Sequence, residues 1–267
     1  MKKISILLAV MALFFTDLVL AANNAVVTSL TGAVQVQTGT APARPLRQGD
    51  ELSQGDTVIT GPASSAVLKF DDGQVAAMTA NSRMTVTAYA YNPANESGNV
   101  LLSLVTGGMR VITGIIGRRT PDRVAYRAGT ATIGVRGSDG TIVHVQGNVV
   151  VTVESGVFTF TMNNQTIVIP AGQAIHARPD GTFNRGTIAA LARELQGTPA
   201  GALILAALGG INGLAAAVNA AGPGVQRGGQ DGGQQGQQGQ QGQQGGQSGG
   251  QGGGQGGGGG GGRPSGS

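Results

Sequence analysis

Cysteine is absent from all 267 residues, and so is tryptophan. Without thiols the chain has neither disulfides nor thiolate metal sites, so its fold must rest on its own core. Aromatic residues make up 3% of the chain and charged residues 11%, which leaves aliphatic side chains to build that core. Only two histidines occur, His144 and His176, each inside an alternating apolar run and with no acidic cluster beside it, so a zinc site is not expected. No serine sits in a G-x-S-x-G elbow. The carboxylates Asp50, Asp56, Asp71, Asp72, Asp139 and Asp180 all adjoin Gly or another turn residue, and none follows the alternate spacing of a calcium loop. The glycines of 134-GVRGSDG are spaced unlike a dinucleotide fingerprint, and no long helix pattern follows them. No catalytic, cofactor or metal site is therefore expected, and the chain reads as non-enzymatic.

The first residues carry an address. Lys2 and Lys3 precede an apolar run over 4–15, and small residues follow at Val19 and Ala21. This is the pattern of a secretory signal over 1–21 with cleavage after Ala21. The run is shorter than the 20 or so apolar residues a membrane helix needs, and Asp17 interrupts its end. Export to the periplasm or the medium is the expectation, and with no cysteine after the signal a bacterial-type lipid anchor is not. The formal charge of +4 falls when Lys2 and Lys3 leave with the signal, so the excess of arginine does not point to nucleic acid.

From residue 22 to about 185 the text is strand and turn. Val34 and Val36 alternate with Gln35 and Gln37, one face buried and one wet. Two near-copies, 48-QGD and 54-QGD, and then 71-DDG, are turn signals, because Gly takes the strained φ and Asp bonds back to the local backbone. The runs 141-TIVHV, 149-VVVTV and 157-VFTF, separated by 146-QGN and 154-ESG, read as a meander of short antiparallel strands opened by the turn 134-GVRGSDG. A segment over 186–221 follows, Ala- and Gly-rich and helical, with Ile188, Leu191 and Leu195 on one face. Its part 202–221 approaches the length of a membrane span, but Asn212, Asn219 and three glycines argue against insertion. Gly209, Gly213 and Ala217 form a small-residue ridge. Residues 222–267 are almost all Gly and Gln, have little to bury, and read as a disordered tail.

The phrases 46-LRQGDELSQGDTVITGPASSAVLKFDDG, 101-LLSLVTGGMRVITG, 133-IGVRGSDG and 170-PAGQ, in that order over about 26–183, resemble the FecR domain of ferric-citrate-type signalling regulators. The resemblance implies an all-β fold, a twisted solenoid-like or sandwich-like stack of short antiparallel strands, which works through protein contacts rather than catalysis. Signalling members also carry a cytoplasmic helical segment and a membrane span. Neither precedes the domain in this sequence, so the expectation is a free-standing exported form. Ser138 departs from the family's pattern, in which Thr usually follows Val-Arg-Gly.

The strongest polar feature is a series of arginines, Arg110, Arg118, Arg119, Arg123 and Arg127, with Asp122 the only carboxylate among them. Guanidinium forks suit carboxylates and phosphates, so the series is a candidate patch for a protein or an anionic envelope component. Alternatively, these arginines lie along wet strand faces and do nothing specific. Gly134, Arg136 and Gly137 belong to the family motif, and Arg136 is expected to fix the turn by bonding turn carbonyls or a nearby Asp. The function expected is an envelope binding module for protein–protein interaction in sensing or regulation. The alternative is a structural or matrix-associated protein whose Gly/Gln tail and Ala/Gly helix associate, and homo-oligomerisation stays open.

Overall fold

The computed structural model describes residues 24–221. The expected signal and the Gly/Gln tail lie outside the described residues. The chain begins with eight shorter strands, β1 (Ala25–Thr31), β2 (Val34–Thr38), β3 (Arg44–Pro45), β4 (Glu51–Leu52), β5 (Asp56–Thr60), β6 (Ser65–Phe70), β7 (Val75–Met78) and β8 (Arg83–Asn92). The two QGD turns are built alike. Asp50 accepts from the Arg47 amide at 3.1 Å and Asp56 from the Ser53 amide at 2.9 Å, while Gly49 and Gly55 take φ of +87° and +95°.

Three long strands follow, β9 (Ser97–Ile112), β11 (Ala131–Val145) and β12 (Asn148–Met162), with β10 (Val124–Ala128) between the first two and β13 (Gln165–Pro170), β14 (Gln173–Ala177) and β15 (Phe183–Thr187) closing the sheet. The first half of β9 pairs with β8 and β10, and its second half with β7 and β11. β11 and β12 divide their partners in the same way. Each long strand therefore belongs to two layers and bends between them. The bends fall at Gly107, Gly137 and Gly156, with φ of +95°, +57° and +74°, values the β-branched residues around them would resist. One layer runs β1–β6–β7–β9–β11–β12–β14–β15, the other β2–β5–β8–β9–β10–β11–β12–β13. Leu68, Met109 and Val151 from the first meet Val58, Leu102, Tyr126 and Phe158 from the second in one buried core.

The first layer is also covered outside by three helices, α2 (Ile188–Leu195), α3 (Pro199–Gly213) and α4 (Ala215–Ala221); the short α1 (Ile115–Arg119) lies earlier, between β9 and β10. Leu191, Leu195 and Ile204 pack on Val143, Val150 and Ala174, and Val218 and Ala221 pack on Val67, Val75 and Ala77. Burial on both faces explains why 75-VAAM and 149-VVVTV run apolar without alternation. Thr187 and Thr198 cap α2 and α3 by accepting from the amides of Ala190 and Gly201, and Pro199 opens α3.

Three expectations need correction. The runs 149-VVVTV and 157-VFTF are two halves of β12, and 134-GVRGSDG lies inside β11, because Gly156 and Gly137 bend the strands rather than reverse them. The strands are not all antiparallel: β10 runs parallel to β9, after a connection holding α1 and a 3-10 turn (Pro121–Arg123) that carries the chain back to the start of the layer. The helical segment is helical as expected and packs onto the sheet; its part 202–221 breaks at Leu214, and no helix among the described residues is long and apolar enough to cross a membrane. Gly209 and Gly213 face open space, whereas the close approach is made by Gly210 to Thr79 and by Ala207 over Gly108.

A Cβ on Gly107 would lie 2.5 Å from Ser82 Cα, in addition to the strain of its positive φ. Gly107→Ala is expected to lose roughly 2–4 kcal/mol of stability. Gly55→Ala, equally strained but facing open space, should lose about 1 kcal/mol; urea midpoints compare the two.

Two carboxylates are buried among the described residues, Asp56 in its QGD turn and Asp72 at the turn between β6 and β7. Asp72, 4% exposed, accepts from the Gln74 amide at 3.1 Å, and its own amide donates to Tyr89 Oη at 2.9 Å. Tyr126 Oη donates to Gln74 Oε1 at 2.8 Å, which ties β10 to the same turn, while Asp72 Oδ2 has no hydrogen-bond partner among the described residues. Burial raises the Asp72 carboxyl above its ordinary value, against the opposing pull of the Gln74 amide. Between the ordinary value and the raised one, the native state holds a proton that the unfolded chain has already released. Stability should fall as pH rises from the ordinary Asp value of about 4 through the raised one. Asp72→Asn should remove that decline, so its urea midpoint should gain on the wild type's with rising pH and then level off.

Candidate binding face

The outward side of the second layer bears no helix among the described residues. Its inward residues fill the core, and its outward residues fall into register across eight strands. Gln37, Thr57, Thr85, Ser103, Arg127, Thr132, Thr161 and Thr166 stand opposite one another from β2 to β13. All of them reach solvent. Neighbouring hydroxyls pair at 2.8 Å (Thr57 with Thr85), 2.9 Å (Thr161 with Thr166) and 2.7 Å (Thr87 with Ser103), as cross-strand Thr and Ser do. Arg83 also points outward and donates to Gln37 Oε1 at 3.4 Å. Arg136 lies two residues beyond Gly134, which faces Ala125 on β10, and Arg123 ends the 3-10 turn just before that strand. Within this layer, no outward position on the eight strands carries a carboxylate; Asp139 of β11 and Glu154 of β12 lie beyond the bends, on the other layer. Arginines without counter-charges give such a face a positive field.

The predicted arginines divide. Arg123 and Arg127 are exposed, on this face or at its edge, with no ion pair among the described residues. Arg119 pairs with Glu96 at 2.5 Å, and Arg118 donates to the Thr113 carbonyl at 2.9 Å from the end of α1. Arg110 leaves the group altogether, because it projects from the second half of β9 onto the opposite layer. There it forks onto Asp139, Nε to Oδ1 at 2.8 Å and Nη2 to Oδ2 at 2.6 Å, and this bond raises its pKa further. Glu154 stands beside the pair and accepts from Thr152 Oγ1 at 3.1 Å. Partial loss of water lifts its carboxyl above the ordinary value, and Thr152 opposes the shift.

Gly134 leaves room for Thr159 Oγ1, 2.6 Å from where a Cβ would stand, and Gly137 makes the bend. The guanidinium of Arg136 is exposed and makes no hydrogen bond among the described residues, contrary to its expected role in the turn. Ser138 does that work. Its Oγ accepts from the Val157 amide at 2.9 Å and lies 2.7 Å from the Val157 carbonyl, and its amide donates to Thr113 Oγ1 at 3.0 Å. A serine hydroxyl buried between two bent strands supplies the bonds that the bend removes from the ladder. Arg83 and the threonine row were missed in the sequence. Alternation marks each threonine as wet, but only the register aligns them.

His176 lies in β14 and His144 in β11. His176 Nε2 meets Asn148 Oδ1 at 3.0 Å and its Nδ1 meets Glu194 of α2 at 3.4 Å, so it ties the helix to the sheet; burial lowers its pKa. Among the described residues no three His, Asp or Glu side chains converge as metal ligands.

Fold and face together define an all-β scaffold with an exposed side that bears arginines and hydroxyl groups. Residues 56–158, from β5 into β12, match the family model described as FecR protein. This segment contains all three bends together with Arg123, Arg127 and Arg136, and is narrower than the stretch over which the phrases resemble the family. Among solved structures the chain is similar to two crystal structures, at 1.65 and 2.50 Å, of a candidate anti-sigma factor from Parabacteroides distasonis ATCC 8503. Both are 13% identical over 52% of this chain, with TM-scores of 0.41 and 0.42, covering 65% and 72% of those chains. This chain thus spans less than two thirds of the first of them. No curated protein matches it.

Asp139→Ala leaves the half-buried Arg110 without its partner and is expected to lose about 3 kcal/mol. Arg123→Ala, on an exposed side chain, should change stability by less than about 0.5 kcal/mol. Chemical denaturation of the two variants measures the difference.

Proposed function

We propose that the protein is an exported, non-enzymatic binding module of the cell envelope that serves sensing or regulation through contacts made by its β-domain. The observation that carries this reading is the solvent-facing side of the second layer, rich in arginine and hydroxyl groups and free of carboxylates. A rigid sheet that holds fixed cations on an uncovered face is suited to recognition. The FecR segment supports a regulatory role through protein contacts, and the Lys-led apolar run with Ala21 supports export.

The test uses the full chain expressed with its own leader. The exported product should have the mass expected for cleavage after Ala21, and an uncleaved cytoplasmic product would refute export. Immobilised on a support, the wild type should retain envelope components that the triple variant Arg123→Glu, Arg127→Glu, Arg136→Glu does not. The same retention by both proteins would refute the face as the contact surface.

A further inference from the structure

We infer that the arginine-and-hydroxyl face binds an acidic polysaccharide, a sugar chain carrying carboxylates. The inference rests on the reading of this face as the contact surface and names what it contacts. The aligned row crosses eight strands, and seven inter-strand steps of about 4.8 Å give it a length of roughly 33 Å. That shape suits an extended polymer better than a compact ligand.

The chemistry along the row is of two kinds. Each Thr or Ser hydroxyl both donates and accepts, as sugar hydroxyls do. In the pair Thr161–Thr166 one hydrogen is spent between the two oxygens, which leaves the other O–H and the remaining lone pairs for a ligand. Arg127 lies within the row and Arg136 beside it, exposed and without partners among the described residues. Their forks match carboxylates. A protein partner of high affinity needs buried aromatic or large apolar anchors. The outward positions of these strands carry no aromatic residue, and their exposed large apolar side chains are Val105 and Val168. A membrane surface would call for an apolar edge and clustered lysines, and this face has neither.

Affinity electrophoresis of the folded chain in gels containing polygalacturonate, neutral dextran or poly-glutamate tests the inference. Polygalacturonate should retard the wild type strongly, and dextran should not. Arg127→Glu with Arg136→Glu should weaken retardation by about tenfold. Arg185→Glu with Arg193→Glu, the same change of net charge at exposed positions on β15 and α2, should leave it unchanged. Thr132→Val with Thr161→Val, which keeps β-branched side chains and should keep the melting temperature, should weaken retardation several-fold. Absence of retardation by polygalacturonate overturns the inference. So does equal retardation by poly-glutamate with indifference to the Thr→Val pair, which would mean that charge alone is read. Neither result touches the contact surface itself, which stands or falls on retention of envelope components by the wild type against the triple variant.

Discussion

Three strands that each serve two layers hold this structure together. β9, β11 and β12 leave one layer and enter the other through glycines at positive φ, so a single hydrogen-bonded sheet folds over its own core. Because the backbone ladder is continuous through the fold, the two layers are fixed relative to each other by more than side-chain packing. The cost lies at the corners, where ladder bonds are interrupted. There Ser138 and Thr113 supply substitutes from their hydroxyls and amides. A chain without disulfides and with few aromatic residues depends on such continuity for its rigidity.

The bends also divide the surface chemistry. The first layer buries both faces, inward on the common core and outward under α2, α3 and α4. Two ion pairs stand on that side, Arg110 with Asp139 and Arg178 with Glu194. The second layer has one face against the core and the other open to water. Its cations are left unpaired, and its hydroxyls line up because strands in register bring like positions together. The helix-covered surface and the exposed row of arginine and hydroxyl groups thus lie on different layers of one sheet.

Much of the architecture could be read from the residues. Alternation at Val34 and Val36, the paired QGD turns and the helical face through Leu191 and Leu195 each depend on neighbours close in sequence. What could not be read depends on distant ones. Gly137 and Gly156 take the same positive φ whether a strand bends or reverses, so a single long strand looked like two. The unbroken 149-VVVTV signalled burial but not what lay on its far side. Arg110 looked like its neighbours in a charge series until pairing brought in Asp139 from β11, 29 residues away. Arg136 fell within a turn motif, yet its side chain points to water while Ser138 holds the bend.

The central claim is that register places Arg127 and the threonines together on one outward face. A slip of one residue in any pairing would turn that strand's wet side chains inward. Backbone proton NOEs across the strands measure the register directly in the folded chain. Contacts joining Ser103 with Arg127, and Thr132 with Thr161, are the predicted result. NOEs that pair Ser103 with Tyr126 or Ala128 in the opposing register, or Thr132 with Phe160, would contradict it.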